Sequence, residues 1–324
     1  MKNGSIFELG GRPPLSQALP LAIQHVVAMI VGCVTPAIIV SGAVSGGGLA
    51  AADKVILIQA SLFVAALTTL LQLFPLGSRS GLALGSGLPV IMGISFAYVP
   101  TMTAIAGSYG IAAILGAEIV GGIVAVLMGF LIKKIRVLFP PLITGTVVFT
   151  IGLSLYPVAI NYMAGGVGSP TYGSWQNWLV ALFTLSVVTV LNHCGKGIWK
   201  LASILIGMTA GYLLAIPFGM VHFDSVAAAG LLQIPAPLHF GVEFEVSSCI
   251  AIGILFAINS IQAIGDYSAT TSGAMDRQPS DREIQNGILG YGVSNIVGSL
   301  FGGLPTATFS QNVGIVVTTK VNNR

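Results

Sequence analysis

Asn259, Gln262 and Asp266 recur at intervals of three and four inside an apolar run, so a helix carries them on one face. Two amides and a carboxyl in a row can donate and accept hydrogen bonds and can hold a proton. Ser268, Thr270 and Thr271 follow and add hydroxyl donors. A stripe this polar is expensive against lipid, so it faces the protein interior. Two roles fit it: recognition and coupling of a polar ligand, or hydrogen bonding between helices. A second stretch, Leu304 to Lys320, reads LPTATFSQNVGIVVTTK. A proline and a short β-favouring run (Thr306, Thr308, Phe309) lead into Ser310, Gln311 and Asn312, and an apolar, helix-like run follows from Gly314. An extended segment that turns into a helix inside so apolar a chain is a broken membrane segment. Such backbone survives only where protein or a cavity satisfies it, and in transporters that is where substrate binds.

The elements that hold these residues are set by composition. Of 324 residues, 54% are hydrophobic and only 7% charged, with a mean hydropathy of +0.92. A soluble globular chain carries about 25% charged residues, so the class is an all-α polytopic membrane protein. With roughly 20 apolar residues per spanning helix, about ten spans are expected, near 18–40, 55–75, 82–106, 111–132, 138–158, 176–194, 201–221, 247–271, 284–303 and 305–321. The third and tenth are interrupted by Gly and Pro. Residues Gly85 to Pro100 and Gly302 to Gly314 both run from glycines through a proline into a short extended segment, with Phe96 or Phe309, and then into a half-helix. Gly and Pro are common in membrane helices, but a matched pair in two halves points to a midplane site. The two extended segments are expected to face each other and pair partway. Two half-helix N-termini would then point at the centre, where their positive ends suit an electron-rich ligand. A flat heteroaromatic molecule with alternating donors and acceptors fits between such backbone edges.

Charge sets the orientation. With the N-terminus inside, Lys2, Arg12, Arg79, Lys133, Lys134, Arg136, Lys196, Lys200, Arg277, Arg282, Lys320 and Arg324 fall on the inner side, and Lys54 falls outside. Residues 222–246 form an external loop with His222, Asp224, His239, Glu243 and Glu245, and mark a seam between 1–221 and 247–324. The run Asp276, Arg277, Asp281, Arg282, Glu283 reads as a solvated cytoplasmic loop. His25, beside Gln24, lies inside the first span and fits either a functional or a packing role. Glu118 lies in the fourth span and reads as an internal hydrogen-bonded acid or a group near the outer interface. The cysteines Cys33, Cys194 and Cys249 are far apart and give no disulfide framework or zinc site. There is no GxxxxGK[ST] loop, no GxGxxG, no nucleophile–base constellation and no basic nucleic-acid face.

The pattern Gln311-Asn312-x-Gly314-x4-Thr319-Lys320 resembles the signature of the nucleobase–ascorbate transporter family, also called nucleobase:cation symporter-2. Gln24-His25 resembles its first-span Gln-His, Gly93-Ile-Ser-Phe-Ala-Tyr98 its third-span strand, and Ile264-Gly-Asp-Tyr-Ser-Ala-Thr270 its eighth-span motif. Phe309-Ser-Gln-Asn-x-Gly314 is closest to xanthine and uric acid permeases. The resemblance implies an inverted repeat of seven plus seven spans, divided into core and gate, with short strands in spans 3 and 10. It implies a homodimer in the lipid of the cytoplasmic membrane, with a proton, or sodium, as coupling ion and no other cofactor. Residues 1–221 would be the first repeat and 247–324 the start of the second, leaving four further spans of the family pattern after Arg324.

Carried over by residue, Phe96 and Ala97 would present strand backbone to a purine base, with Gln262, Ser310 and Gln311 as further substrate contacts. Asn312 would hold the site in shape, and His25, Asp266 and Glu118 would support coupling. An amide at Gln311 donates and accepts, which suits an oxopurine edge better than uracil. Two positions depart from the family pattern: Gln262 stands where Glu is usual, and Tyr291 where Asp is common. Coupling would then fall to Asp266, His25 or Glu118. The readings that follow are a purine symporter, a transporter of uracil, another base or an anion on the same fold, and a non-transporting fragment of such a permease.

Overall fold

The structure, a computed structural model, describes residues 8–11, 14–77, 81–135, 146, 149–150, 152–166, 169–196, 198–201, 203–221 and 236–323. Helices α1 (Leu15–Ala43) and α2 (Ala51–Leu73) come first. A two-residue hairpin pair, β1 (Leu76–Gly77) and β2 (Ala83–Leu84), precedes strand β3 (Met92–Ile94). A single 3₁₀ turn, Phe96–Tyr98, leads into α3 (Val99–Tyr109), and α4 (Ile111–Ile135) follows. Next are α5 (Tyr156–Met163), α6 (Trp175–Cys194), the short α7 (Ile198–Leu201) and α8 (Ser203–Ala215). The last part holds α9 (Val246–Met275), α10 (Asp281–Leu300), strand β4 (Thr306–Thr308) and α11 (Ser310–Thr319).

Among the described residues, five helices are long and apolar enough to cross a membrane: Ala18–Ala43, Ala51–Leu73, Ile111–Ile132, Trp175–Cys194 and Val246–Met275. The expected span 138–158 lies mostly outside the described residues, as does 222–235 of the expected external loop. The expected span 201–221 is shorter than a bilayer crossing, since α8 has 13 residues. Spans 3 and 10 are broken, as their Gly and Pro content led one to expect. Each is a short strand followed by a helix of 11 or 10 residues.

The core sits where α4 packs against α9 and α10. Glycines make the close approach possible: a Cβ on Gly122 would lie 2.7 Å from the Gly292 carbonyl oxygen, and one on Gly292 would lie 2.7 Å from that of Gly122. Small residues at a membrane helix crossing let backbones approach in this way. Phe256 of α9 fills the adjoining space, tilted against Tyr98 and stacked on Tyr291, with ring centres 5.1 and 5.3 Å away.

Local chemistry sets the helix ends. Glu245 caps α9 by accepting from Ser247 and Ser248; the Ser247 hydroxyl first, then the Ser248 contacts, draw its carboxyl down to about 2. Its folded value lies below the ordinary one, so the cap's stabilisation is present above the ordinary glutamate range and is lost as pH falls through about 2. The charge run before α10 is more than a solvated loop. Ser280 and Glu283 form a reciprocal capping box. Arg277 grips Glu283 with two bonds of 2.8 and 2.6 Å.

Candidate functional site

The broken spans meet in an antiparallel pair, with Met92 opposite Thr308, Gly93 opposite Ala307 and Ile94 opposite Thr306. Two further backbone bonds extend it, from the Ser95 N–H to the Pro305 carbonyl at 3.1 Å and from the Phe309 N–H to the Ile91 carbonyl at 2.9 Å. A two-stranded pair in an apolar interior has two outer edges that water cannot satisfy. Side chains from neighbouring helices do so. Thr69 of α2 accepts from the Met92 N–H at 3.0 Å and lies 3.1 Å from the Met92 carbonyl. Asn295 of α10 accepts from the Thr306 N–H at 2.7 Å and reaches the Thr306 carbonyl at 3.4 Å. Gln72 ties the preceding loop into the same layer, accepting from the Ser86 N–H at 2.9 Å and donating to the Gly287 carbonyl at 2.7 Å.

Asn295→Ala leaves the Thr306 N–H buried and unpaired. The expected loss is about 1–3 kcal/mol, read as a lower thermal unfolding midpoint of the purified protein.

Asp266 joins the strand pair to α9. It is 7% exposed, and both carboxyl oxygens are engaged. Thr308 donates to Oδ2, and Ser310 donates to Oδ1 at 2.8 Å. Gln262, one turn back on α9 and half-buried, lies beside this carboxyl. The carboxyl thereby fixes the last strand residue of β4 and the first residue of α11 at once. The N-cap residue of α11, Phe309, gives no side-chain cap, and Ser310 and Gln311 are exposed at its start. Gln311 stands beside α1: a Cβ on Gly32 would lie 3.7 Å from the Gln311 amide nitrogen. Phe309 turns inward and packs between Gly32, Cys33 and Gly93.

Phe96 and Ala97 are not strand residues, contrary to expectation. The strand ends at Ile94, because Ser95 accepts from the Ala97 N–H at 3.3 Å and turns the chain into the 3₁₀ helix. The Ser95 hydroxyl also meets Asn259 Oδ1 at 3.4 Å, so α9 touches both broken spans, through Asn259 and Asp266.

His25 sits apart from Asp266. Asn312 Nδ2 lies 3.0 Å from His25 Nδ1 and donates to the His25 carbonyl at 3.1 Å, pinning α1 to α11. Glu118 is fully buried and is not in a hydrogen-bonded pair: neither carboxyl oxygen has a partner among the described residues. The structure therefore brings together Gln262, Asp266 and Ser310, with Phe96 and Ala97 in the turn on the facing segment, while the Gln311 amide lies toward Gly32 of α1. It gives His25 and Asn312 a separate contact and leaves Glu118 behind the site. Asn295, Thr69 and Thr308 were missed by sequence reasoning. Each is a polar residue in an apolar stretch, the signal that could have found it.

A cavity of about 570 Å³ opens between α1, α2 and the end of α11, with His25 and Thr69 on its wall. Its lining is mostly apolar and includes none of Gln262, Asp266 and Gln311, so it is distinct from the polar cluster.

The chain is 35% identical over 311 residues to the "Xanthine permease" of Bacillus subtilis (strain 168), covering 96% of this chain and 69% of that protein. It is 36% identical over 310 residues to the "Uric acid permease PucJ" of the same strain, covering 94% of this chain and 67% of that protein. Among solved structures, the transmembrane domain of the cyanobacterial bicarbonate transporter BicA aligns with a TM-score of 0.65 at 17% identity, over 97% of this chain and 80% of that one. That likeness shows the fold: a polytopic helical transporter domain. The family model Xan_ur_permease, described as "Permease family", matches residues 16–324. A membrane fold of the transporter type, two broken spans joined at a buried carboxyl, and a match along nearly the whole sequence lead to one conclusion: the chain belongs to this permease family and works by transport rather than by catalysis.

Proposed function

We propose that this chain takes up a purine base of the xanthine or uric acid type across the cytoplasmic membrane, together with a proton. The observation that carries the reading is the polar cluster at the start of α11. There the Gln262 amide and the Asp266 carboxyl adjoin the first turn of α11, which carries Gln311 and whose N-cap residue, Phe309, gives no side-chain cap. An amide offers a donor and an acceptor, and an oxopurine edge carries both. The uncapped N–H groups and the positive helix end favour the electron-rich ring oxygens. Asp266 is the titratable group in contact with this cluster and is the proposed partner of the coupled proton. The names of the relatives, a xanthine permease and a uric acid permease, support the substrate class. The distribution of the basic residues supports a cytoplasmic N-terminus, and a homodimer in the lipid is expected.

The test is uptake of radiolabelled xanthine and urate by cells expressing the chain, with and without a protonophore and with and without sodium. Saturable uptake that collapses with the proton gradient is the expected result. Uptake indifferent to the protonophore but following sodium would replace the proton by sodium. Absence of saturable uptake by protein present in the membrane would contradict the reading.

A further inference from the structure

Behind the substrate cluster, on the side of α4, lies a second titratable site. Glu118 is 0% exposed, and both of its carboxyl oxygens lack a hydrogen-bond partner among the described residues. Its surroundings can be named element by element. The 3₁₀ turn contributes Tyr98, and α10 contributes Tyr291, which adjoins Gly292, the residue packed against Gly122 one turn along α4 from Glu118. Their hydroxyls are bonded to each other. The α9 residues packed on this tyrosine pair are Phe256 and the neutral Asn259. The loop before α9 contributes only the backbone of Glu243, which would lie 1.9 Å from a Cβ on Gly116, while the Glu243 side chain is exposed. Beyond Tyr291, the next titratable neighbour is Tyr267, which in turn adjoins Asp266.

An ionised carboxylate buried without a cation or a donor is very costly, whereas a neutral acid is far less so. Glu118 in this arrangement therefore suits the form that carries a proton. If that proton leaves, the carboxylate needs a donor, and the tyrosine pair holds one. Asn259 also bonds the Tyr98 hydroxyl; when Tyr98 donates to Tyr291, the Tyr291 O–H is left over and can turn toward Glu118. Tyr98 is the last residue of the turn that holds Phe96 and Ala97. A change in its hydrogen bonding acts directly on the substrate-side segment, which Ser95 and Asn259 also tie to α9.

From this geometry we infer that Glu118 is a proton-binding site, linked to the 3₁₀ turn of the third span through the Tyr98–Tyr291 hydroxyl pair. The carboxylic acid releases its proton to solvent in one arrangement of the carrier and accepts a tyrosine hydrogen bond as the carboxylate. Reprotonation from the other side restores the state seen here. The uptake arm of the test rests on the purine reading given above, and the spectroscopic arm does not.

The experiment combines infrared difference spectroscopy of the purified full chain in lipid nanodiscs with proton-driven xanthine uptake in vesicles. The wild type is expected to show the carbonyl-stretch band of a neutral, hydrogen-bond-free carboxylic acid that shifts in D2O. That band is lost in Glu118→Gln, kept in Glu118→Asp, and altered in Tyr291→Phe, which removes one hydroxyl of the pair. Uphill, proton-driven accumulation is lost in Glu118→Gln and partly restored in Glu118→Asp. Gln matches the neutral acid in size, so a side chain that merely packs would survive the change. Accumulation retained in Glu118→Gln, or a wild-type spectrum without such a band, overturns the proposal. A Tyr291→Phe spectrum identical to wild type overturns the link to the turn. A wild type that shows the band but transports no purine removes the purine reading and leaves the proton site supported.

Discussion

Asp266→Ala is expected to cost about 3 kcal/mol of stability and to abolish xanthine uptake. The mutation removes the acceptor of two hydroxyl bonds, from Thr308 and Ser310, at a position 7% exposed. A hydrogen bond to a carboxylate contributes about 1.5–3 kcal/mol, and buried donors left unpaired add a penalty. Both hydroxyls can rotate toward neighbouring carbonyls, which places the loss near the lower end of that sum. Against a total stability of about 5–15 kcal/mol this is a large fraction, and the damage falls on the joint between β4 and α11. Asp266→Asn separates structure from coupling. The amide keeps one acceptor and the shape of the side chain, so the stability loss falls to about 1 kcal/mol. It cannot titrate, so coupled uptake should fall further than binding. Thermal unfolding of the two variants, read beside uptake and binding, checks the ordering.

Gly93→Val is the second large effect. The strand conformation at Gly93 suits any residue, so the reason for glycine is space. A Cβ there would lie 2.6 Å from Phe309 Cζ and 2.7 Å from Cys33 Sγ, both in the core. Phe309 cannot swing away freely, because a Cβ on Gly32 of α1 would already lie 3.1 Å from its ring. Overpacking of this kind costs about 1–3 kcal/mol. Here it pushes on the residue that ends β4, so purine binding should weaken along with stability. Adding Phe309→Leu to Gly93→Val relieves the ring contact, and a double-mutant cycle should show an interaction energy of about 0.5–3 kcal/mol. Additive effects would mean that the ring and the glycine do not share the space.

The broken spans were readable in the sequence because backbone chemistry announces them. Prolines at Pro89 and Pro305, flanking glycines and the β-branched Thr306 and Thr308 mark segments that cannot continue as helix. The α9 stripe was readable because Asn259 and Asp266 stand out against apolar neighbours at helical spacing. The partners of these residues were not. Thr308 with Asp266, Asn295 with Thr306 and His25 with Asn312 are tertiary pairings, and no periodicity encodes them. The 3₁₀ turn at Phe96–Tyr98 was read as extended from the resemblance of Gly93–Tyr98 to a third-span strand, and its aromatic residues Phe96 and Tyr98 suit a strand. The Ser95 hydroxyl, which accepts from the Ala97 N–H, overrides that preference. Glu118 was read as an internal hydrogen-bonded acid or a group near the outer interface; it is buried, and its carboxyl oxygens have no hydrogen-bond partner among the described residues.

The central claim, that a purine base sits at the start of α11, is tested most directly by titrating xanthine into the purified full chain and into Gln311→Ala by calorimetry. Gln311 is exposed and its amide only borders Gly32 of α1, so its loss should leave folding intact. The account predicts saturable binding by the wild type and none by Gln311→Ala, with unchanged thermal unfolding. Equal binding by both proteins would contradict it.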